Sequence, residues 1–448
     1  MIVARKILGY YGKFRYYVRL GLIIFYLAMP WFNWGDRPLI LLDIEHRKFF
    51  FPGAVFWPQE NYFLLLIMLI LGISLFFFTS LMGRLWCGWA CPQTIFTEMF
   101  DAMGRLLSPR FGKASHALWE KVILHLVWFL TAIILTYHFV AYFVGARAML
   151  ADLINLGTAV MADRTWPYFL LAIAGLFYFD LAILRHHFCV YICPYARFQS
   201  VMLDEDSVVI GYDSHRGEPR RKKKIKAGSA EEADWGDCTN CNKCVQVCPT
   251  GIDIRDGLQV ACINCTHCVD ACAEEMQRYD KATLVDFNSM NFLDHRKQTR
   301  FIRPRVIVYA TIFVVVVVTL VTLLSIRIPI YASVLRDRNV QPIVVNNVAQ
   351  NLYEVSLGNA TEEPVALKID VQLKRDSDRA LVDNFRILGE QSLQMEPNEL
   401  KKIRIMLQGD LKSAQAAKKI VPAVFSITNP HTGKTVQKQT IFTIPVGG

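Results

Sequence analysis

Two cysteine runs carry the clearest chemistry in the chain: CTNCNKCVQVCP at 238–249 and CINCTHCVDACA at 262–273. Each reads C-x2-C-x2-C-x3-C. A cubane iron–sulfur cluster needs four thiolates converging on alternate corners. A tight turn through CxxCxxC supplies three of them. When the run is doubled, the fourth comes from the last cysteine of the other run. The spacing therefore assigns Cys238, Cys241, Cys244 and Cys272 to one [4Fe–4S] cluster, and Cys262, Cys265, Cys268 and Cys248 to a second. A zinc ribbon would use CxxC pairs and leave cysteines over. The runs differ at one place, because Pro249 follows Cys248 whereas Ala273 follows Cys272. The proline turns the chain and is no ligand.

The other four cysteines form a second repeat. RLWCGWACPQ (84–93) and HHFCVYICPY (186–195) each hold CxxxCP at the end of an apolar run. On a helix, residues four apart share a face with Cβ atoms about 5–6 Å apart, wider than the roughly 3.5–4.5 Å of a disulfide. A bond inside one motif therefore needs a broken helix, whereas joint ligation of a metal does not. Proline suits a first helical turn and disfavours the α conformation just before it. Cys91 and Cys193 are thus expected as caps, with helices opening at Pro92 and Pro194. A thiol at a helix N-terminus is expected to have a lowered pKa, and soft thiolates favour Cu(I). Cys87, Cys91, Cys189 and Cys193 are the candidate copper or redox thiols. The bland alternative is that they are small buried apolar residues.

These thiols need a scaffold, and the composition says which kind. Of 448 residues, 53% are hydrophobic, and the mean hydropathy of +0.27 points to membrane spans. Apolar runs at about 18–34, 62–83, 121–144, 166–184 and 303–327 approach or exceed the ~20 residues that cross a hydrocarbon core. No small-residue cleavage site follows the first, so a cleaved signal peptide is not expected. The net charge of +10 would suggest nucleic acid in a soluble chain. Here Lys and Arg gather in the N-terminal arm, in 84–120 and in 185–302, as cytoplasmic loops require, and no nucleic-acid partner is expected. Five spans with the N-terminus inside put both CxxxCP motifs and 185–302 in the cytoplasm and everything beyond about 330 outside. The absence of cysteine after Cys272 agrees with a reducing compartment for the thiols.

The expected organisation is a membrane domain at 1–204, a ferredoxin-like domain at 205–300, a fifth span at 301–329 and an outer β-sandwich at 330–448. The last part alternates as strands (YEVSLGN, VALKIDVQL, KKIRIML, VPAVFSI, TVQKQTIFTIP) with NPHTGK as a turn. PRRKKKIKAGS at 219–229 reads as a flexible linker. Weaker candidates are His125 and His138, which lie 13 apart and could hold haem only with partners such as His186 and His187. Asp180 is an intramembrane acid that Arg84 or Arg185 could neutralise, and His267 is expected at the surface near a cluster. No Gly-rich dinucleotide fingerprint is evident, so electrons must come from a soluble carrier, a quinol or another protein.

GRLWCGWACPQTIFTEMFD, HHFCVYICPYARFQSVMLD and DCTNCNKCVQVCPTGIDIRDGLQVACINC, followed by a last span and a β domain, closely resemble the FixG/CcoG-type cytochrome c oxidase accessory proteins. The resemblance covers nearly the whole chain. It implies a bacterial inner-membrane protein with two [4Fe–4S] clusters on the eight cysteines named above and an immunoglobulin-like periplasmic domain. It also implies a role in reducing Cu(II) to Cu(I), and cbb3-type oxidase assembly factors or subunits as partners. A homodimer is compatible with it. Three functions follow as expectations: a cupric reductase, a quinone-linked electron-transfer component, and a non-catalytic assembly scaffold.

Overall fold

The structure is a computed structural model that describes residues 5, 7, 9–35, 37–44, 48–52, 54–57, 60–107, 118–155, 165–221, 235–337, 340–346, 348–361, 363–373, 382–411 and 420–443. Most of the expected linker, 222–229, lies outside them. Residues 219–221 do not behave as a linker, because the Arg221 amide donates to the Cys238 carbonyl at 3.1 Å. The chain divides into two units, 1–41 with 63–320 and 42–62 with 321–448.

The first unit holds the membrane helices and the cysteine runs. Among the described residues, four helices are long and apolar enough to cross a membrane: Asn61–Met82, Leu118–Val144, Trp166–Leu184 and Pro304–Ser325. These match four of the five expected spans. The fifth, expected at 18–34, is not among them. Helix α1 runs Tyr10–Ala28 and carries Lys13, Arg15 and Arg19, and a tight turn at Met29–Trp31 containing Pro30 follows it. Its early start has a local cause, because the amides of Tyr11 and Gly12 donate to the Asp270 carboxylate at 3.1 and 2.7 Å. An acid at a helix N-terminus meets the orphan N–H groups there.

After α2 (Asn61–Met82) come a short α3 (Leu85–Trp89) and an amphipathic α4 (Pro92–Leu107). Helix α4 buries Ile95, Phe96 and Phe100 against Trp128 of α5 (Leu118–Val144). The cysteine-run segment is closed by strand Val209–Tyr212, antiparallel to Val285–Asn288.

The second unit is an all-antiparallel β-sandwich. One sheet orders Val382–Leu388, Leu400–Leu411, Val348–Asn359 and Ile330–Arg336, with Ile343–Val345 added to Val348–Asn359. The other orders Ser392–Met395, Val365–Leu373, Ile420–Thr428 and Thr435–Thr443. Val348–Asn359 alternates inward and outward, as a half-buried strand does. Its Tyr353 lies 5.3 Å from Phe425 of the facing sheet, ring to ring. One addition departs from the sequence reading. Residues 42–62, expected as a loop between spans, belong to this unit. Trp57 stacks on Tyr331 at 6.1 Å, and Glu60 takes both Nε and Nη2 of Arg327, at 2.6 and 2.7 Å.

Candidate iron–sulfur and thiol sites

The two cysteine runs fold alike. In each, the residues on either side of the second cysteine have positive φ: Asn240 and Asn242 around Cys241, Asn264 and Thr266 around Cys265. Asparagine enters this left-handed region at low cost, whereas a β-branched threonine rarely does. The bends wrap the chain around a centre. Short helices then open at Lys243 and His267, inside the motifs, and present Cys244, Cys268 and Cys272.

Two small cavities result. One is lined by Cys238, Cys241, Cys244 and Cys272. The other is lined by Cys248, Cys262, Cys265 and Cys268, with Cys244 also at its edge. The same division follows from the spacing, including the exchange of the last cysteine between runs. No three potential ligands among the described residues stand as close as one ion requires, and a cubane holds its four thiolates further apart than a single ion does. Four thiols lining each cavity, with the last cysteine exchanged between runs, suit [4Fe–4S] clusters. Burial pushes the Cys244 thiol up to about 11 and Cys262 up to about 12, so metal binding must displace protons. Positive charge is on hand. Arg255 faces Cys244 and Cys238 and is anchored by Asp253 and by the side-chain oxygens of Asn240 and Asn242.

The CxxxCP motifs adopt the expected caps. Helix α4 opens at Pro92 and the helix Pro194–Met202 opens after Cys193, whose ψ of 115° is extended. The helix breaks inside the first motif, because α3 ends at Trp89 and leaves Cys91 beyond it. In the second motif, Cys189 lies on a wider π-helical turn, Phe188–Ile192. The two motifs brace each other reciprocally. Gln93, two past Cys91, donates to Asp180 at 3.1 Å. Tyr195, two past Cys193, shares a 2.8 Å hydrogen bond with Thr79. The Cys87 thiol donates to Gln199 at 3.5 Å. Cys87 feels the charge of Cys91, Cys189 and Cys193, so all four thiols share one neighbourhood.

One expectation fails here. The Cys91 thiol is raised, not lowered: burial outweighs the helix-terminal amides of Thr94 and Gln93 that pull it down. Burial likewise lifts Cys87 and Cys189 to about 12.

Arg84 links the two kinds of site. Its guanidinium is close enough to Cys87, Cys193 and Cys262 to interact with their charges, and it donates to the carbonyls of Val260 and Ala196. Trp89 Nε1 donates to the Asn264 carbonyl at 3.2 Å. A Cβ at Gly88 would stand 2.5 Å from the Ile263 oxygen. The first CxxxCP motif thus rests directly on the Cys262–Cys268 loop.

The weaker candidates resolve differently. Asp180 accepts from Gln93, Arg185 pairs with Asp101, and Arg84 donates to carbonyls. His125 bonds Tyr178 at 2.9 Å, and His138 is engaged by Trp31 and the Ile134 carbonyl. His267 is half-buried rather than exposed. Its Nε2 accepts from Arg15 at 2.6 Å, and burial and then Arg15 lower its pKa to about 4.

Comparison with known proteins agrees with this division. Residues 184–290 match the family model of a 4Fe–4S dicluster domain. Residues 320–445 match the immunoglobulin-like fold at the C-terminus of FixG, and residues 63–113 match a 4Fe–4S binding domain. Protein RdxB of Cereibacter sphaeroides is 35% identical over 82% of this chain and 81% of its own. RdxA of the same organism is 32% identical over 83% and 82%. The nitrogen fixation protein FixG of Rhizobium meliloti is 29% identical over 91% and 86%.

Proposed function

That the chain belongs to the FixG/CcoG-type family of membrane iron–sulfur electron-transfer proteins is the premise from which we propose its function: a cupric reductase at the cytoplasmic face, serving assembly of a cbb3-type oxidase. Cys238, Cys241, Cys244 and Cys272 hold one [4Fe–4S] cluster; Cys262, Cys265, Cys268 and Cys248 hold the other. When bound, these clusters supply one-electron storage and transfer. Cys87, Cys91, Cys189 and Cys193 take up Cu(II) as substrate and retain the Cu(I) that one electron yields. Thiolate prefers Cu(I), which makes the reduction easier. The observation that carries this reading is Arg84, whose single guanidinium faces thiols of both groups. Donor and acceptor are then neighbours. The four thiols are gathered but not set at single-ion distance, so capture requires their side chains to rotate inward.

A second reading has its own support. The 4Fe–4S binding model at 63–113 contains only Cys87 and Cys91 as cysteines. On that reading the four membrane thiols hold a further iron–sulfur centre in place of copper. Metal analysis with EPR, on wild type and on a quadruple Cys→Ser variant at 87, 91, 189 and 193, separates them. The copper reading expects unchanged iron in the variant and loss of Cu(I) trapping after reduction. A loss of iron assigns the thiols to a cluster. Unchanged Cu(II) reduction in the variant removes these thiols from the mechanism.

A further inference from the structure

The first unit contains a cavity of about 630 Å³ that the cluster and thiol sites do not use. This is within the roughly 300–1,000 Å³ of small-molecule sites. Its walls come from α1, α4, the turn after the fourth span and the second cysteine run. The last wall matters most. His267 stands between Cys265 and Cys268, and Pro249 follows Cys248, so the cavity is backed by the loop that holds three of the four thiols of one centre.

One group in the cavity is chemically unfinished. His186 is 8% exposed, and neither ring nitrogen has a hydrogen-bond partner. A buried polar group without a partner is costly, and a ligand's hydrogen bond recovers that cost. Its nearest acid, Asp101, stands 3.8 Å from Nε2 and is already paired with Arg185. Glu98 takes both Arg15 and Arg19. Burial, and then Arg185, keep the His186 imidazole neutral at pH 7. The rim is apolar, where Leu106 is 84% and Tyr16 47% exposed.

These features select among electron donors. A protein cannot enter a concave site of this size. A dinucleotide would want a Gly-rich phosphate loop, which the sequence lacks. An anionic lipid head group could meet Arg5 and Arg105, which also line the cavity, but it has no electron to give. A neutral imidazole accepts a hydrogen bond from a hydroxyl.

We infer that this cavity binds a membrane hydroquinone, with one ring hydroxyl donating to His186, and that the hydroquinone is the electron donor. The inference rests on reading Cys248, Cys262, Cys265 and Cys268 as the ligands of an iron–sulfur centre. The hydroquinone loses two electrons and two protons and leaves as the quinone. The electrons pass one at a time across the His267 wall to that centre, which each time is reduced by one electron and hands it on before the next. The proton of the hydroxyl bonded to His186 goes to its imidazole, with Asp101 3.8 Å from Nε2, and from there to water; the proton of the opposite hydroxyl leaves directly to water at the open mouth. Arg5, Arg15, Arg19, Arg105, Glu98 and His267 also face this space, and its four arginines outnumber the carboxylates Glu98 and Asp101, an excess of positive charge that favours loss of the hydroxyl protons.

The test uses the full chain in lipid nanodiscs. An azidoquinone probe should photolabel peptides covering 97–106 and His186, and a short-chain quinone should displace it where an anionic phospholipid does not. Labelling elsewhere, or displacement by the phospholipid, overturns the site. A short-chain hydroquinone should reduce the clusters of the wild type, read by EPR. Ala102→Trp, which fills the cavity, and His186→Leu should each slow that reduction at least about tenfold, with iron content and reduction by dithionite unchanged. Equal rates in wild type and both variants overturn the inference. If Ala102→Trp loses iron, His186→Gln carries the same comparison. A wild type that dithionite reduces and hydroquinone does not sinks the inference alone and leaves the iron–sulfur reading standing.

Discussion

At the scale of single residues, the arginines beside the cysteine runs set the electrical environment of each centre. Arg255 faces one thiol group, and Arg84 the other. A positive charge near a cluster favours its reduced, more negative state. Arg255→Gln should therefore make one of the two potentials more negative, by tens of millivolts for a charge at roughly 8–10 Å and an effective dielectric near 20, while the other barely moves. A redox titration followed by EPR checks this, and two equal shifts would contradict the separate allocation of thiols. The division of the eight cysteines between two cavities is legible in the sequence because the spacing of the runs is local chemistry. The direction of the cysteine pKa is not. A helix start is visible in a proline, but the burial that outweighs it at Cys91 depends on how the surrounding helices pack.

At the scale of elements, α3 and the Cys262–Cys268 loop are in direct backbone contact. Gly88 is the point of closest approach, and any Cβ there meets the Ile263 carbonyl. Trp89 and Arg84 fix the same junction by hydrogen bonds. Gly88→Ala should push the two elements apart without removing a ligand. The expected outcome is full iron content with copper reduction slowed by about tenfold or more, since misplacing reacting groups by about 1 Å costs that much or more. Assay of Cu(I) formation against dithionite-reducible iron distinguishes this from a folding defect. Periodicity reveals α4, because its apolar face repeats, and the prolines reveal where it and its counterpart begin. It does not reveal that Gln93 reaches Asp180 or that Tyr195 reaches Thr79. Those pairs lie 87 and 116 residues apart, and no local pattern encodes them. The start of α1 escapes a sequence reading for the same reason, because its cap is a carboxylate from Asp270.

At the scale of the whole molecule, the β-sandwich is not confined to the C-terminal segment. Residues 42–62 complete it, through Trp57 on Tyr331 and Glu60 on Arg327. Trp57 is 4% exposed, so Trp57→Ala should cost the β unit about 3–5 kcal/mol. The measurable result is an earlier thermal transition and faster proteolysis within 321–448, with iron content unaffected. A truncated chain that begins near residue 330 should show the same instability. Alternation and turn residues make the later strands readable in the sequence. The earlier segment stays hidden, because three- and four-residue strands rich in aromatics carry no period long enough to tell from a loop.

The helix His267–Met276 carries Cys268 and Cys272, one from each thiol group, with Asp270 between them. That same Asp270 fastens the first turn of α1. On the proposed ligation, filling both centres would hold this helix at two points on either side of the carboxylate that moors α1. The mooring of the first helix would then tighten with iron loading.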